Sequence, residues 1–113
     1  MSKDYPRPRN FTMTPNEVYD RIMPEVSTGE FKVVSLVVRR TIGWGQSERT
    51  MTVQEFMART GLSKQAVLDA VKSALDHGYI KRRVSKKRNG RMSYAYRYAA
   101  EEQTNASNNG TPE

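Results

Sequence analysis

Apolar side chains recur along this chain at two spacings, and the change from one to the other outlines its architecture. In the run GEFKVVSLVVRRTI, residues 29–42, the residues Phe31, Val34, Val37, Val38 and Thr41 fall on one stripe at helical spacing. This predicts the main core helix, starting after Ser27 or Thr28 and ending at Gly43, with Trp44 folding back over the core from a loop through GQSERT. Thr52 and Glu55 form a capping box for a helix of about eight residues that buries Val53, Phe56 and Met57 and stops at Gly61. Leu62 turns inward and Ser63 caps the next helix, which keeps Val67, Val71, Ala74 and Leu75 on one side and Gln65, Asp69, Lys72 and Asp76 on the other. Gly78 ends that helix, where a left-handed residue is wanted.

Beyond Gly78 the period falls to two. Tyr79 to Ser85 reads as a strand, Arg88 to Gly90 as a turn, and Met92 to Tyr98 as a second strand with Tyr94, Tyr96 and Tyr98 on one face. Upstream, Thr14, Pro15 and Glu17 make a helix start, and Pro24 closes the short helix that follows. The resulting fold class is mainly α with a small β-hairpin, a winged helix-turn-helix occupying residues 11–100. Residues 1–10 and 101–113 are polar and are expected to be a disordered arm and a disordered tail.

Charge changes this picture from a fold into a candidate interface. The formal net charge is +7, and residues 1–80 hold 11 basic and 9 acidic side chains, whereas residues 81–100 hold 8 basic and none acidic. A patch so local attracts a polyanion. The chain has no Cys, which excludes disulfides and thiolate metal sites and fits a reducing cytoplasm, and it has no apolar run long enough for a membrane span or a signal peptide. No cofactor is expected.

The hairpin's cations sit beside a helix of the size that enters a major groove. Lys64 and Gln65 occupy the first turn of the helix after Ser63 and are candidate base readers, Lys for guanine acceptors and Gln for adenine. Asp69, one turn on, can accept from a cytosine amine or repel wrong partners; Ser63 and Lys72 suit the phosphate backbone. Arg82 and the turn-flanking Lys86, Lys87, Arg88 and Arg91 lay positive charge against a duplex, which positions without specifying sequence.

Blander readings compete at each point. A basic run is commonly a solvated face, and a helix-turn-helix also serves as plain packing or as a protein-binding face. The six Met read as core filler and a start residue, and His77, the only His, as a cation near a helix C-terminus rather than a metal ligand. Tyr94, Tyr96 and Tyr98 suit hydrophobic cover more than base stacking. Without Cys, a second His, a phosphate loop or paired carboxylates on one face, with Glu17 and Asp20 read as solvated, the chain is not expected to be an enzyme.

FTMTPNEVYDRI at 11–22, VVRRTIGWG at 37–45 and the helix-turn-helix with GLSKQAV together resemble the N-terminal origin-binding domain of phage replication protein O. The most specific pieces are Phe11, Thr12, Pro15, Asn16 and Glu17, then Arg39, Arg40, Thr41, Gly43 and Trp44; the likeness covers about residues 11–85. The resemblance implies a dimer on repeated double-stranded origin sites, with the helix carrying Lys64 and Gln65 as the reader. In such proteins a further half recruits the helicase; here 13 residues follow position 100, giving either a fragment or a stand-alone binder. Three readings remain open: a replication initiator, a transcriptional repressor on the same scaffold, and an accessory module of a nucleoprotein complex, each working in the cytoplasm of a bacterial or phage-infected cell.

Overall fold

The structure, a computed structural model, describes residues 10–88 and 91–100, with residues 86–88, 91 and 92 described by their backbone alone. Among the described residues three α-helices and three strands follow in the order α1 (Thr28–Arg40), β1 (Arg49–Met51), α2 (Val53–Thr60), α3 (Lys64–Asp76), β2 (Ile80–Arg88) and β3 (Arg91–Tyr98). The strands form one antiparallel sheet in the order β1-β3-β2. This is a winged helix-turn-helix.

Each helix starts where a hydroxyl meets an orphan backbone N–H. Ser27 accepts from the Glu30 amide at 3.1 Å, Thr52 from that of Glu55 at 3.1 Å, and Ser63 from that of Ala66 at 3.2 Å. Of the expected capping box on α2 the hydroxyl half forms; the Glu55 carboxylate is drawn instead to Arg40 at 3.3 Å and Arg49 at 4.0 Å. The helix-turn-helix corner is equally local. Gly61 takes φ +78°, a left-handed conformation that β-carbons strain, and Thr60 braces the corner by donating to the Phe56 carbonyl at 2.6 Å and accepting from the Leu62 amide at 3.2 Å.

The core lies between α1 and α3 and is closed by the sheet. Val33, Val34 and Val37 of α1 meet Val67, Ala70, Val71 and Ala74 of α3, with Phe56 packed edge-on to Tyr96 at 5.2 Å between ring centres. Ile22 joins this cluster from the N-terminal segment, as do Ile80 and Ala100 from the hairpin and its end. Burying side chains of this size stabilises by about 1.5–3 kcal/mol each, so the packing and not helix propensity holds the three short helices.

Several expectations are corrected. Phe31 is only half-buried; Val33 and, unexpectedly, Glu30 take the inward positions of α1. The helix ends at Arg40 and passes through a 3-10 turn, Ile42–Trp44, so the left-handed residue is Gly45, while Gly43 passes against Thr12, 3.0 Å from where a β-carbon would stand. Trp44 does not cover the core: it is 58% exposed with the Arg39 guanidinium 5.5 Å over its ring. The N-terminal helix is a π-helical stretch, Val18–Ile22, and Pro24 lies inside the following 3-10 turn, Met23–Glu25, rather than closing the helix. Met51 and Met57 fill the core as expected, but Met13 and Met23 are exposed. The expected disordered arm and tail fall, Asn10 aside, outside the described residues.

Candidate nucleic-acid interface

The hairpin's two faces differ, and the register shows how. Arg82 pairs with Tyr96 and Val84 with Tyr94, while Met51 opposes Tyr94 from the other side, so these residues share the face turned toward α3. Arg83 and Ala95 share the opposite face with Thr50. There Arg83 forms a two-pronged pair with Glu48, the hydrogen bond that holds the Glu48 carboxyl below its ordinary pKa and the Arg83 guanidinium above its own. Past Val84 the register shifts, leaving Ser85 as an extra residue that bends the strand as it enters the wing. The wing itself continues as paired backbone from Lys86 to Arg88 and back from Arg91, with Arg88 opposite Arg91. Asn89 and Gly90 of the expected turn lie outside the described residues.

Between α3 and the inner face of the hairpin runs a groove of about 860 Å³. Lys64, Leu68, Lys72 and Asp76 form one wall, Arg82, Ser93 and Tyr94 the other, and Thr52 and Gln54 at the start of α2 contribute to its lining. Arg82 is held in place by its tyrosines: its guanidinium lies 4.0 Å over the Tyr94 ring and donates to the Tyr96 hydroxyl at 3.1 Å. A stacked arginine keeps its remaining N–H groups presented in one plane, which suits a phosphate. Tyr94, Tyr96 and Tyr98 are cover for the core, as the alternation predicts, and Tyr94 doubles as the platform for Arg82.

The side chains singled out on α3 lie on its exposed surface but are not all unengaged. Lys64 and Gln65 are exposed in the first turn. Gln65 donates from Nε2 to Asp69 at 3.0 Å, and Lys72 bonds Asp76 at 2.9 Å, both one turn apart on the helix. The Ser63 oxygen is engaged as the cap, which leaves its O–H proton able to reach an anion. Leu68, absent from the sequence reading, is 42% exposed on this same surface. The signal for it was an apolar residue on the polar side of the helical wheel, three after Gln65 and four from both Lys64 and Lys72.

Two further contacts support the site from outside. His77, expected only as a cation near a helix end, bonds through Nδ1 to the buried Glu30 carboxylate at 2.7 Å, tying the end of α3 to the start of α1. Glu17, read as solvated, accepts from the Tyr98 hydroxyl at 2.7 Å and from Arg21 at 3.0 Å, fastening the N-terminal segment to the hairpin. Among the described residues no cluster of His, Cys, Asp or Glu is arranged to hold a metal ion, and no helix is long and apolar enough to cross a membrane.

The fold and this groove define a winged helix-turn-helix protein with a cationic face. The family model for bacteriophage replication protein O matches residues 7–96, and the chain belongs to that family. Membership gives it a replication-related role. A comparison with curated proteins finds no match.

Proposed function

We propose that the chain is a sequence-specific double-stranded DNA-binding protein of the origin-binding, replication-initiator class, and that it acts by binding rather than catalysis. Residues 11–100 form the binding unit. Helix α3 enters the major groove with Lys64 and Gln65 at base edges, while Ser63, Lys72, Arg82, Lys86, Lys87, Arg88 and Arg91 hold the phosphate backbone. A second copy reads a neighbouring half-site, and the complex assembles in the cytoplasm of the infected cell.

The observation that carries this reading is the groove beside α3, with Lys64 and Lys72 on one wall and the tyrosine-held Arg82 on the other. An α-helix with its side chains is about 10–12 Å across and the major groove about 12 Å wide, so a helix exposed along one side and flanked by a basic hairpin matches a duplex in shape as well as charge. The family's replication role favours this reading over a repressor on the same fold.

Selection of bound duplexes from a random library together with sheared phage and host DNA, at near-physiological salt, tests it. A defined motif recurring in closely spaced copies is the expected result. A lone copy overlapping a promoter would replace the initiator reading with a repressor. No enrichment from folded protein would overturn base reading altogether.

A further inference from the structure

We propose, resting on the duplex-binding reading above, that Leu68 and the Asp69-held amide of Gln65 form one A·T-reading edge on α3. Gln65 takes an adenine, Leu68 packs on the methyl group of a thymine within one base step, and Asp69 is a positioning residue that touches no base.

The argument begins with the hydrogen bond from Gln65 Nε2 to Asp69 Oδ1 at 3.0 Å. A carboxamide looks nearly the same when turned over, but here the reversed amide would set its carbonyl against a carboxylate, acceptor against acceptor. The bond therefore fixes which side of the amide is nitrogen. With one N–H committed to Asp69, one N–H and one carbonyl remain. That donor and acceptor complement adenine, which offers N7 as acceptor and its N6 amine as donor; guanine offers two acceptors and would face the carbonyl with its O6. A free glutamine samples both orientations and discriminates less.

This assignment also accounts for an acid on a face otherwise suited to a polyanion. Asp69 is exposed one turn on from Gln65, on a helix that also carries Lys64 and Lys72. Near phosphates its charge opposes binding to every duplex alike. Its contribution is to orientation, at the expense of general affinity.

Leu68 supplies the second half. It is 42% exposed, follows Gln65 by three residues and is therefore its neighbour on the helix surface, and it lines the groove with Lys64, Lys72 and Arg82. The groove around it is lined by apolar side chains, Val71, Leu75 and Tyr94 among them, together with Lys64, Lys72 and Arg82, and Asp76 is bonded to Lys72. The cations recruit a polyanion, and the apolar group that a duplex offers in its major groove is the thymine methyl.

The test uses the full chain and the motif selected above. Each thymine of that motif is replaced singly by deoxyuridine, which deletes the methyl and keeps every hydrogen-bonding group, and affinities are measured by fluorescence anisotropy. One replacement is expected to weaken the wild-type protein about fourfold, the loss of one buried methyl, and to leave Leu68→Ala unaffected. In a repeated selection, Asp69→Ala is expected to lose roughly fivefold or more of its adenine preference at one position while binding random-sequence duplex more tightly. Both side chains are exposed, and melting curves check that each variant stays folded.

Deoxyuridine tolerated at every position, or penalised equally in Leu68→Ala, overturns the methyl contact. Loss of a cytosine preference in Asp69→Ala with adenine preference intact makes Asp69 a direct reader and overturns its positioning role. A wild-type motif unchanged by both variants sinks this inference and leaves the duplex reading standing, whereas a wild-type protein that selects no motif sinks both.

Discussion

Glu30 is a carboxylate with 2% of its surface exposed, a position that side chain tolerates only when its charge is met. It sits in the first turn of α1, where the helix N-terminus favours an anion, and receives His77 from the far end of α3 at 2.7 Å. Removing the imidazole leaves a buried acceptor short of its partner. We expect His77→Ala to lower unfolding stability by about 1–3 kcal/mol, with an unchanged urea m-value and unchanged duplex affinity. A loss below about 0.5 kcal/mol would mean that water replaces the ring. Nothing in the sequence pointed to this pair. Periodicity identifies Glu30 as one residue among a helix's first turn and His77 as a cation near a helix end, and the separation of 47 positions carries no signal of contact. Leu68 was missed for the converse reason, since an apolar residue off the stripe reads as noise until its cationic neighbours are seen around it.

The helices were legible because their ends are written in single residues: Ser27, Thr52 and Ser63 at the starts, Gly61 and Gly78 at positive φ past the ends. The hairpin was legible from its alternation, although it extends three residues further along β2 than expected. What escaped was β1. A strand of three residues has too few positions to alternate, and Arg49–Met51 is a strand only because β3 offers its edge. The same sheet makes a prediction about its two faces. Arg82 faces the groove and Arg83 the other side, so Arg82→Ala is expected to weaken all duplexes alike and to reduce the salt slope by about one. Glu48→Gln, which loosens Arg83 on the other face, should leave that slope unchanged in the same anisotropy titration. Ser63→Ala belongs with these, because the cap holds the start of α3. Its loss should cost about 1 kcal/mol of stability by chemical denaturation, beyond any phosphate contact removed.

Eight of the chain's 19 basic residues fall within residues 81–100 without an acid among them, and on the proposed reading this hairpin end of the molecule meets DNA first. If about six phosphates are neutralised in the complex, log affinity falls with log salt at a slope of roughly −5, a loss of about two-hundredfold between 50 and 150 mM. A slope near −1 would place the cations away from the duplex. Charge of this kind gives affinity without choice, and the choice available to one α3 is narrow. The helix has 13 residues, and those turned to the groove span about three turns, enough for a few base pairs. A few base pairs recur far too often among the roughly million or more competing sites of even a small genome for one copy to find an origin. Two copies reading half-sites about one helical turn apart double the length read and multiply the discrimination. The selected motif is therefore expected to be bipartite, with half-site centres about 10–10.5 base pairs apart or at a multiple of that, and sedimentation of the complex should give two chains per motif. Inserting five base pairs between the half-sites turns the second site to the opposite side of the duplex and should abolish the second chain's gain in affinity, while inserting ten should largely restore it. Equal affinity for all three spacings would show that each chain binds alone, and the search for what supplies the missing specificity would then move to the clustering of sites.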